Sequence, residues 1–335
     1  MIGLRRGLVR GARISALGVH VPERVLTNDE ISQFLDTSDE WITTRTGIRE
    51  RRIARVDEAA SDLGEVAARR CLEYGGLAAA DLDLVIVATI SPDHIMPATA
   101  SIVADRIGAT RAGAFDVQAG CTGFVYALAI ATAFVSANIY ENVLVVGAEV
   151  LSKMVDWEDR GTCILFGDGA GAVLVQPTDN GSIFSFDLGN DGSGASNLLV
   201  PAGGSRMPAS FDTVRDHEHA MHMTGSEVFK FATRTVVDSC KKVLSDAEIG
   251  VEDVDLFVPH QANIRIIESA SRRLGMKESQ VFANLDRYGN TSCASIPICL
   301  HEASESGRLK KGDTLLMAGF GAGLTWGSCL TKWEL

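Results

Sequence analysis

FDVQAGCTGFVYALAIA (115–131) and LFVPHQANIRIIESA (256–270) decide the fold. Each reads as a short apolar strand, a turn bearing an unusual polar residue, and then a helix. Each also has a partner strand that runs into a Gly-containing turn, VLVVGAE (143–149) in the first half and LLMAGFGAG (315–323) in the second. The halves therefore look like structural duplicates. Outward from these stretches, β-rich runs alternate with helical patterns, which predicts a layered α/β fold. Strands are expected at 13–19, 84–89, 114–117, 143–147, 172–176, 182–188, 255–258 and 314–319. Runs such as LVIVAT and NVLVVGA are continuously apolar, as in a sheet covered on both faces. Helices are expected at 29–35, 61–75, 122–137, 225–244, 261–274 and 292–306, the first opened by a capping box of Thr27 and Glu30. Residues 189–223, with GNDGSG, PAGG and DHEHAMHM, break the rhythm and read as a long loop over a binding site.

The 335 residues amount to about two domain-sized units. The expected division is 1–180, carrying Cys121, and 181–335, carrying His260 and Asn290. With 46% hydrophobic and 22% charged residues, the composition excludes intrinsic disorder. A net charge of −12 argues against nucleic acid as the main partner. The seven cysteines include no CxxC pair, so neither a zinc knuckle nor a dithiol motif is supported, and no metal is expected. Cysteine-sparse composition without an apolar leader fits the cytoplasm. MIGLRRGLVRGAR reads as a basic extension before the first strand, and the apolar stretch 124–140 stops short of a bilayer span.

Cys121 stands in AGCTGF, where a strand gives way to a helix. A thiol there feels the positive end of the helix dipole, which favours the nucleophilic thiolate. Taken alone, it reads first as a small buried hydrophobe. His260 ends a buried strand, where open α/β sheets place ligands, or is simply a structural histidine. Asn290 in RYGNTSCASIP has the ordinary alternative of a turn or helix-cap residue. His217, His219 and His222 lack the companions of a metal site. The strings GDGAGA and GFGAGL lack the βαβ context of a dinucleotide fingerprint.

Taken together, the strings carry more than any one of them. SDEWITTRTGIRERR (38–52), AGCTGF (119–124), DRGTCILFGDGAGA (159–172), MTGSEVFK (223–230), PHQANIRI (259–266), YGNTSCASIP (288–297) and GFGAGLTWG (319–327) occur in order along the chain. In these motifs the chain resembles the thiolase-fold condensing enzymes, and most closely the β-ketoacyl-[acyl-carrier-protein] synthase III family. The resemblance implies a thiolase-like α/β fold, two duplicated halves packed as αβαβα layers. It implies a Cys121–His260–Asn290 triad that joins a short acyl-CoA primer to malonyl-[acyl carrier protein], initiating fatty-acid synthesis. Backbone N–H groups of Cys121 and Ala322 are the implied oxyanion hole, and Phe320 an implied wall of the acyl pocket. Met96 matches a position that crosses a homodimer interface into the partner's pocket. Coenzyme A contacts carry over to Thr37, Trp41, Arg45, Arg160 and Asn263, with Ser226 and Cys293 departing from the usual Asn and Ala. Lys230, Arg265, Arg272 and Arg273 match a basic rim that docks the acyl carrier protein. No cofactor, membrane or nucleic-acid partner is implied. The rival reading keeps the fold and serves a polyketide starter or another acyl transfer.

Overall fold

In the computed structural model, residues 10–179 and 182–335 are described; the basic extension read from the sequence lies almost wholly outside them. Two mixed sheets organise the chain. The first has the strand order Gly11–His20, Gly169–Thr178, Val143–Glu149, Leu84–Ala88, Gly113–Val117. The second strand runs antiparallel to both of its neighbours, and the last three strands are parallel. The second runs Leu256–Pro259, Thr314–Gly321, Thr325–Lys332, Ile183–Asn190, with only its first pair parallel. In both sheets a parallel strand at one edge, Gly113–Val117 or Leu256–Pro259, delivers a functional turn.

Helix Gly123–Ser136 contains no charged residue. A helix apolar all round must be enclosed, and this one lies between the sheets beside helix Ser295–Glu305. One core unites their side chains (Phe124, Leu128, Ile296, Leu300) with Val145 and Val173 of the first sheet and Val258 and Met317 of the second. Helices Ala60–Gly75 and Thr99–Ile107 cover the outer face of the first sheet. Helices Gly225–Asp246 and Ile264–Leu274 cover that of the second. The result is the five-layer αβαβα order.

The capping box at Thr27 forms, but its helix ends at Ile31. The sequence reading missed helix Asp39–Thr46, in which only Ile42 and Thr46 are buried, so no apolar stripe marks it. Its ends hold it instead: Ser38 accepts from the Trp41 N–H at 3.1 Å, and Gly47 closes it at φ 83°. The segment 189–223 is less irregular than expected. It holds a 3₁₀ turn at Gly192–Asn197, helix Phe211–Arg215, and a two-residue ladder of Leu198–Leu199 with His222–Met223.

Candidate active site

Cys121 follows the strand Gly113–Val117 and precedes helix Gly123–Ser136 by two residues. The turn needs glycine at 120, where φ is +57° and a Cβ would lie 2.4 Å from the backbone nitrogen of Ala322. Gly321 presses from the other side, its Cβ position 2.3 Å from the Cys121 nitrogen. The Thr325 hydroxyl ties the two turns together, 2.8 Å from the Ala119 carbonyl and 3.1 Å from that of Ala322. The backbones of Cys121 and Ala322, one from each half, are thereby packed against each other.

Cys121 is 5% exposed, and burial pushes its thiol up to about 12, with nearby Glu149 adding to the shift. Hydrogen bonds from Ser292 and from its own backbone act the other way. A helix N-terminus opposes burial by at most about 2 kcal/mol, which moves a pKa by about 1.5. The resting group at neutral pH is therefore the thiol, which corrects the thiolate expected from the helix dipole alone.

His260 lies just past the strand Leu256–Pro259, its N–H bonded to the Ala318 carbonyl at 2.7 Å. It is 2% exposed, and burial alone holds it down at about 3, so the ring is neutral at physiological pH. Nδ1 lies 2.7 Å from Ser295 Oγ, while Nε2 is buried with no partner among the described residues. The Phe320 ring meets the imidazole edge-on at 5.5 Å. Asn290 is held by its backbone, N to the Leu165 carbonyl at 2.8 Å and carbonyl from the Gly167 N–H at 3.0 Å. Its Oδ1 accepts the Ser292 N–H at 2.8 Å, which leaves the amide NH₂ for the cavity.

Two cavities meet at Cys121. One, of about 570 Å³, is lined by Cys121, His260, Asn290 and Phe320 at its buried end. Trp41, Arg45, Arg160, Ser226, Lys230, Asn263 and Arg265 line it further out, most of them exposed. The other, of about 380 Å³, runs past Cys121, Gly120 and Ala322 into an apolar lining that includes Ile90, Met154, Leu199 and Met221. Asn263 caps helix Ile264–Leu274, accepting from the Arg265 N–H at 2.9 Å, and donates to the Arg45 carbonyl at 3.1 Å.

Arg45 and Arg160 both stack on Trp41, their guanidinium carbons 4.6 and 4.7 Å from the ring centroid. An intercalated flat ring needs about twice the stacking distance, so the expected adenine sandwich is closed and Arg160 has to move to open it. Thr37 lines neither cavity, and its buried hydroxyl has no partner among the described residues. Met96 lines neither cavity of its own chain and is 83% exposed, next to Ile95 at 88%. Of the basic rim, Lys230 pairs with Glu227 at 2.8 Å and Arg265 lies over Phe229. Arg272 and Arg273 are exposed in the last turn of the same helix as Arg265, away from the cavity; Arg273 donates to the Thr233 carbonyl.

Three supporting residues escaped the sequence reading: Ser292, Ser295 and Glu149. The Glu149 carboxylate, fully buried at the end of its strand, accepts from Ser91 Oγ at 2.6 Å and from the N–H groups of Ile90, Ser91 and Cys293 at 3.1, 3.2 and 3.4 Å. Burial raises its pKa. It knits the loop after Leu84–Ala88 to the turn that carries Asn290. An acid closing the apolar run VLVVGAE was its one sequence signal.

A buried thiol, a neutral imidazole and an amide lining one cavity, in an αβαβα fold, define a condensing enzyme of the thiolase-fold class. Family models for 3-oxoacyl-[acyl-carrier-protein] synthase III match residues 115–192, and for its C-terminal part residues 244–333. The β-ketoacyl-[acyl-carrier-protein] synthase III of Desulfitobacterium hafniense (strain DSM 10664 / DCB-2) is 54% identical over 96% of this chain and 97% of its own. The chain belongs to the β-ketoacyl-[acyl-carrier-protein] synthase III family. The crystal structure of 3-oxoacyl-[acyl-carrier-protein] synthase III from Aquifex aeolicus VF5 superposes with a TM-score of 0.90 at 44% identity, covering 96% of this chain and all of that one. The priming β-ketosynthase of the R1128 polyketide pathway superposes with a TM-score of 0.91 at 39% identity, covering 99% of each chain.

Proposed function

We propose that Cys121, His260 and Asn290 carry out the decarboxylative condensation of an acyl-CoA primer with malonyl-[acyl carrier protein] that initiates fatty-acid synthesis. One observation carries the assignment of roles: Cys121 stands where a polar-mouthed cavity meets an apolar one. A thioester arm entering from the Trp41 side brings its carbonyl to the thiol and its acyl chain to the apolar cavity. In the first half-reaction the Cys121 sulfur attacks that carbonyl, coenzyme A leaves, and the thiol proton ends on the departing sulfur. Charge developing on Cys121 sulfur is favoured by the helix N-terminus beside it. In the second, the malonyl carboxylate departs as carbon dioxide, and its electron pair passes into the thioester as an enolate. Neutral donors at His260 Nε2 and Asn290 Nδ2 stabilise the enolate oxygen without protonating the carbon. The carbanion attacks the acyl-Cys121 carbonyl, whose oxyanion is held by the N–H groups of Cys121 and Ala322. Collapse expels the sulfur, which regains a proton, and yields a β-ketoacyl carrier protein two carbons longer.

These steps use two thioesters and the chain's own groups, with no metal or redox cofactor. Arg265 and Lys230 at the cavity mouth, with Arg272 and Arg273 further along the helix that carries Arg265, offer basic groups suited to an acidic carrier protein on a chain of net charge −12. The exposed Ile95 and Met96 support a homodimer in which they are covered. Seven buried free thiols support a reducing compartment, the cytoplasm. No helix among the described residues is long and apolar enough to cross a membrane. The test is intact-protein mass after incubation with a panel of acyl-CoAs. One acyl adduct is expected, absent from Cys121→Ala. An adduct that persists in that variant refutes the nucleophile.

A further inference from the structure

His260 touches Ser295 through Nδ1, and the hydroxyl at the other end of that contact decides what Nε2 can do. A neutral imidazole carries one N–H, on either nitrogen. Ser295 is buried, and His260 Nδ1, at 2.7 Å, is the sole hydrogen-bond partner of its Oγ among the described residues. If Nδ1 held the proton and donated it to Ser295, the serine's own proton would be buried with no acceptor, an arrangement proteins avoid. If Ser295 donates to Nδ1, both atoms are satisfied and the imidazole proton is forced onto Nε2. That nitrogen is the buried, unpartnered atom at the cavity that also holds Cys121 and Asn290.

We infer that Ser295 is a positioning residue that locks His260 in the Nε2–H tautomer, making it a hydrogen-bond donor to the substrate and denying it the role of base. The surroundings agree: Phe320 offers the ring an apolar aromatic neighbour, and burial keeps it from taking a second proton. The hydroxyl sits on the first residue of helix Ser295–Glu305, a middle-layer helix packed on both sheets, so it is set by the rigid core rather than by a loop. The inference rests on the proposed use of His260 as an enolate stabiliser, because a base would need the opposite tautomer.

The first test uses the native protein labelled with ¹⁵N-histidine. Long-range proton–nitrogen correlations distinguish the tautomers, and the His260→Ala spectrum identifies the His260 signal among the seven histidines. The expected result is a single Nε2–H species; an Nδ1–H species overturns the inference without any variant having to fold. The second test uses Ser295→Ala. Its His260 should become a tautomer mixture. Carbon dioxide release from malonyl carrier protein should fall in proportion to the Nε2–H fraction that remains, about twofold for an even mixture, while Cys121 self-acylation falls much less. A variant with a pure Nε2–H ring and native decarboxylation removes Ser295 from the role. A native protein that shows the Nε2–H tautomer but neither self-acylates nor decarboxylates would instead sink the functional reading and leave the tautomer assignment standing.

Discussion

Gly321→Ala probes the packing that holds the nucleophile. The added Cβ would lie 2.3 Å from the Cys121 nitrogen, 3.0 Å from the Gly120 carbonyl carbon and 3.2 Å from Cys121 Cα. All three atoms are backbone, so no side chain can swing aside. Restoring ordinary contact requires the turn 120–121 to retreat by about 1 Å, from 2.3 Å to more than 3.4 Å. Gly321 is not in the left-handed region, so the effect is steric and not a matter of backbone conformation. Overpacking of this kind costs about 1–3 kcal/mol, or roughly 1–4 °C in Tm for a chain of this size. The functional loss should be larger in proportion, because a 1 Å misplacement of a reacting group costs about 10²-fold. Self-acylation from acyl-CoA, followed by intact mass, gives the rate, and thermal unfolding gives the Tm. Gly192→Ala is the control: its Cβ meets nothing within 4 Å, and both readouts should stay native. A Gly321→Ala protein that acylates at the native rate would refute the argument that this contact fixes the position of Cys121.

Three further outcomes are expected. Because His260 is held at about 3 in the fold against 6.5 when free, the unfolded chain binds a proton below pH 6.5 that the folded chain does not. Its contribution is complete above 6.5 and shrinks as pH falls, by up to about 1.4 kcal/mol per pH unit. Urea unfolding of native protein and His260→Gln at pH 7, 6 and 5 should show that narrowing difference, and a constant difference would mean that the buried ring protonates in place. Trp41→Ala should raise the KM for acyl-CoA about tenfold, since base stacking on an aromatic ring contributes about 1–3 kcal/mol; an unchanged KM removes Trp41 from the adenine site. Arg265→Glu should weaken malonyl carrier binding, with the deficit shrinking as salt rises, and a salt-independent deficit in a binding titration would point to lost packing on Phe229 rather than to charge.

The sheet strands were legible because their signals are local. LVIVA and VLVVGAE are wholly buried, and continuous apolar runs report that directly. Helix Gly123–Ser136 was legible for the same reason. Strand Thr325–Lys332, reading TWGSCLTK, was missed because its threonines and serine are buried by neighbours a single sequence does not reveal. Helix Thr99–Ile107 was missed because Ala98 gives it no side-chain cap. The family resemblance carried by the motifs implied Cys121, His260 and Asn290 as a triad, and all three line one cavity. Ser295, Glu149 and the closed Trp41–Arg160 stack were not legible: each depends on residues brought together from distant parts of the chain. The acidity of Cys121 was misjudged for a related reason, since a helix start is visible in a sequence and the depth of burial is not.

The middle layer has a consequence for cooperativity. Helices Gly123–Ser136 and Ser295–Glu305 share one continuous core with both sheets, so neither sheet can melt without exposing the face of the other. Denaturation should be a single transition, and neither half expressed alone should hold native structure. The same coupling ties the turns that carry Cys121, His260 and Asn290 to one packed core. Such access as substrates require must come from side chains at the mouth, Arg160 first among them, while the reacting groups stay as fixed as the interior of a crystal.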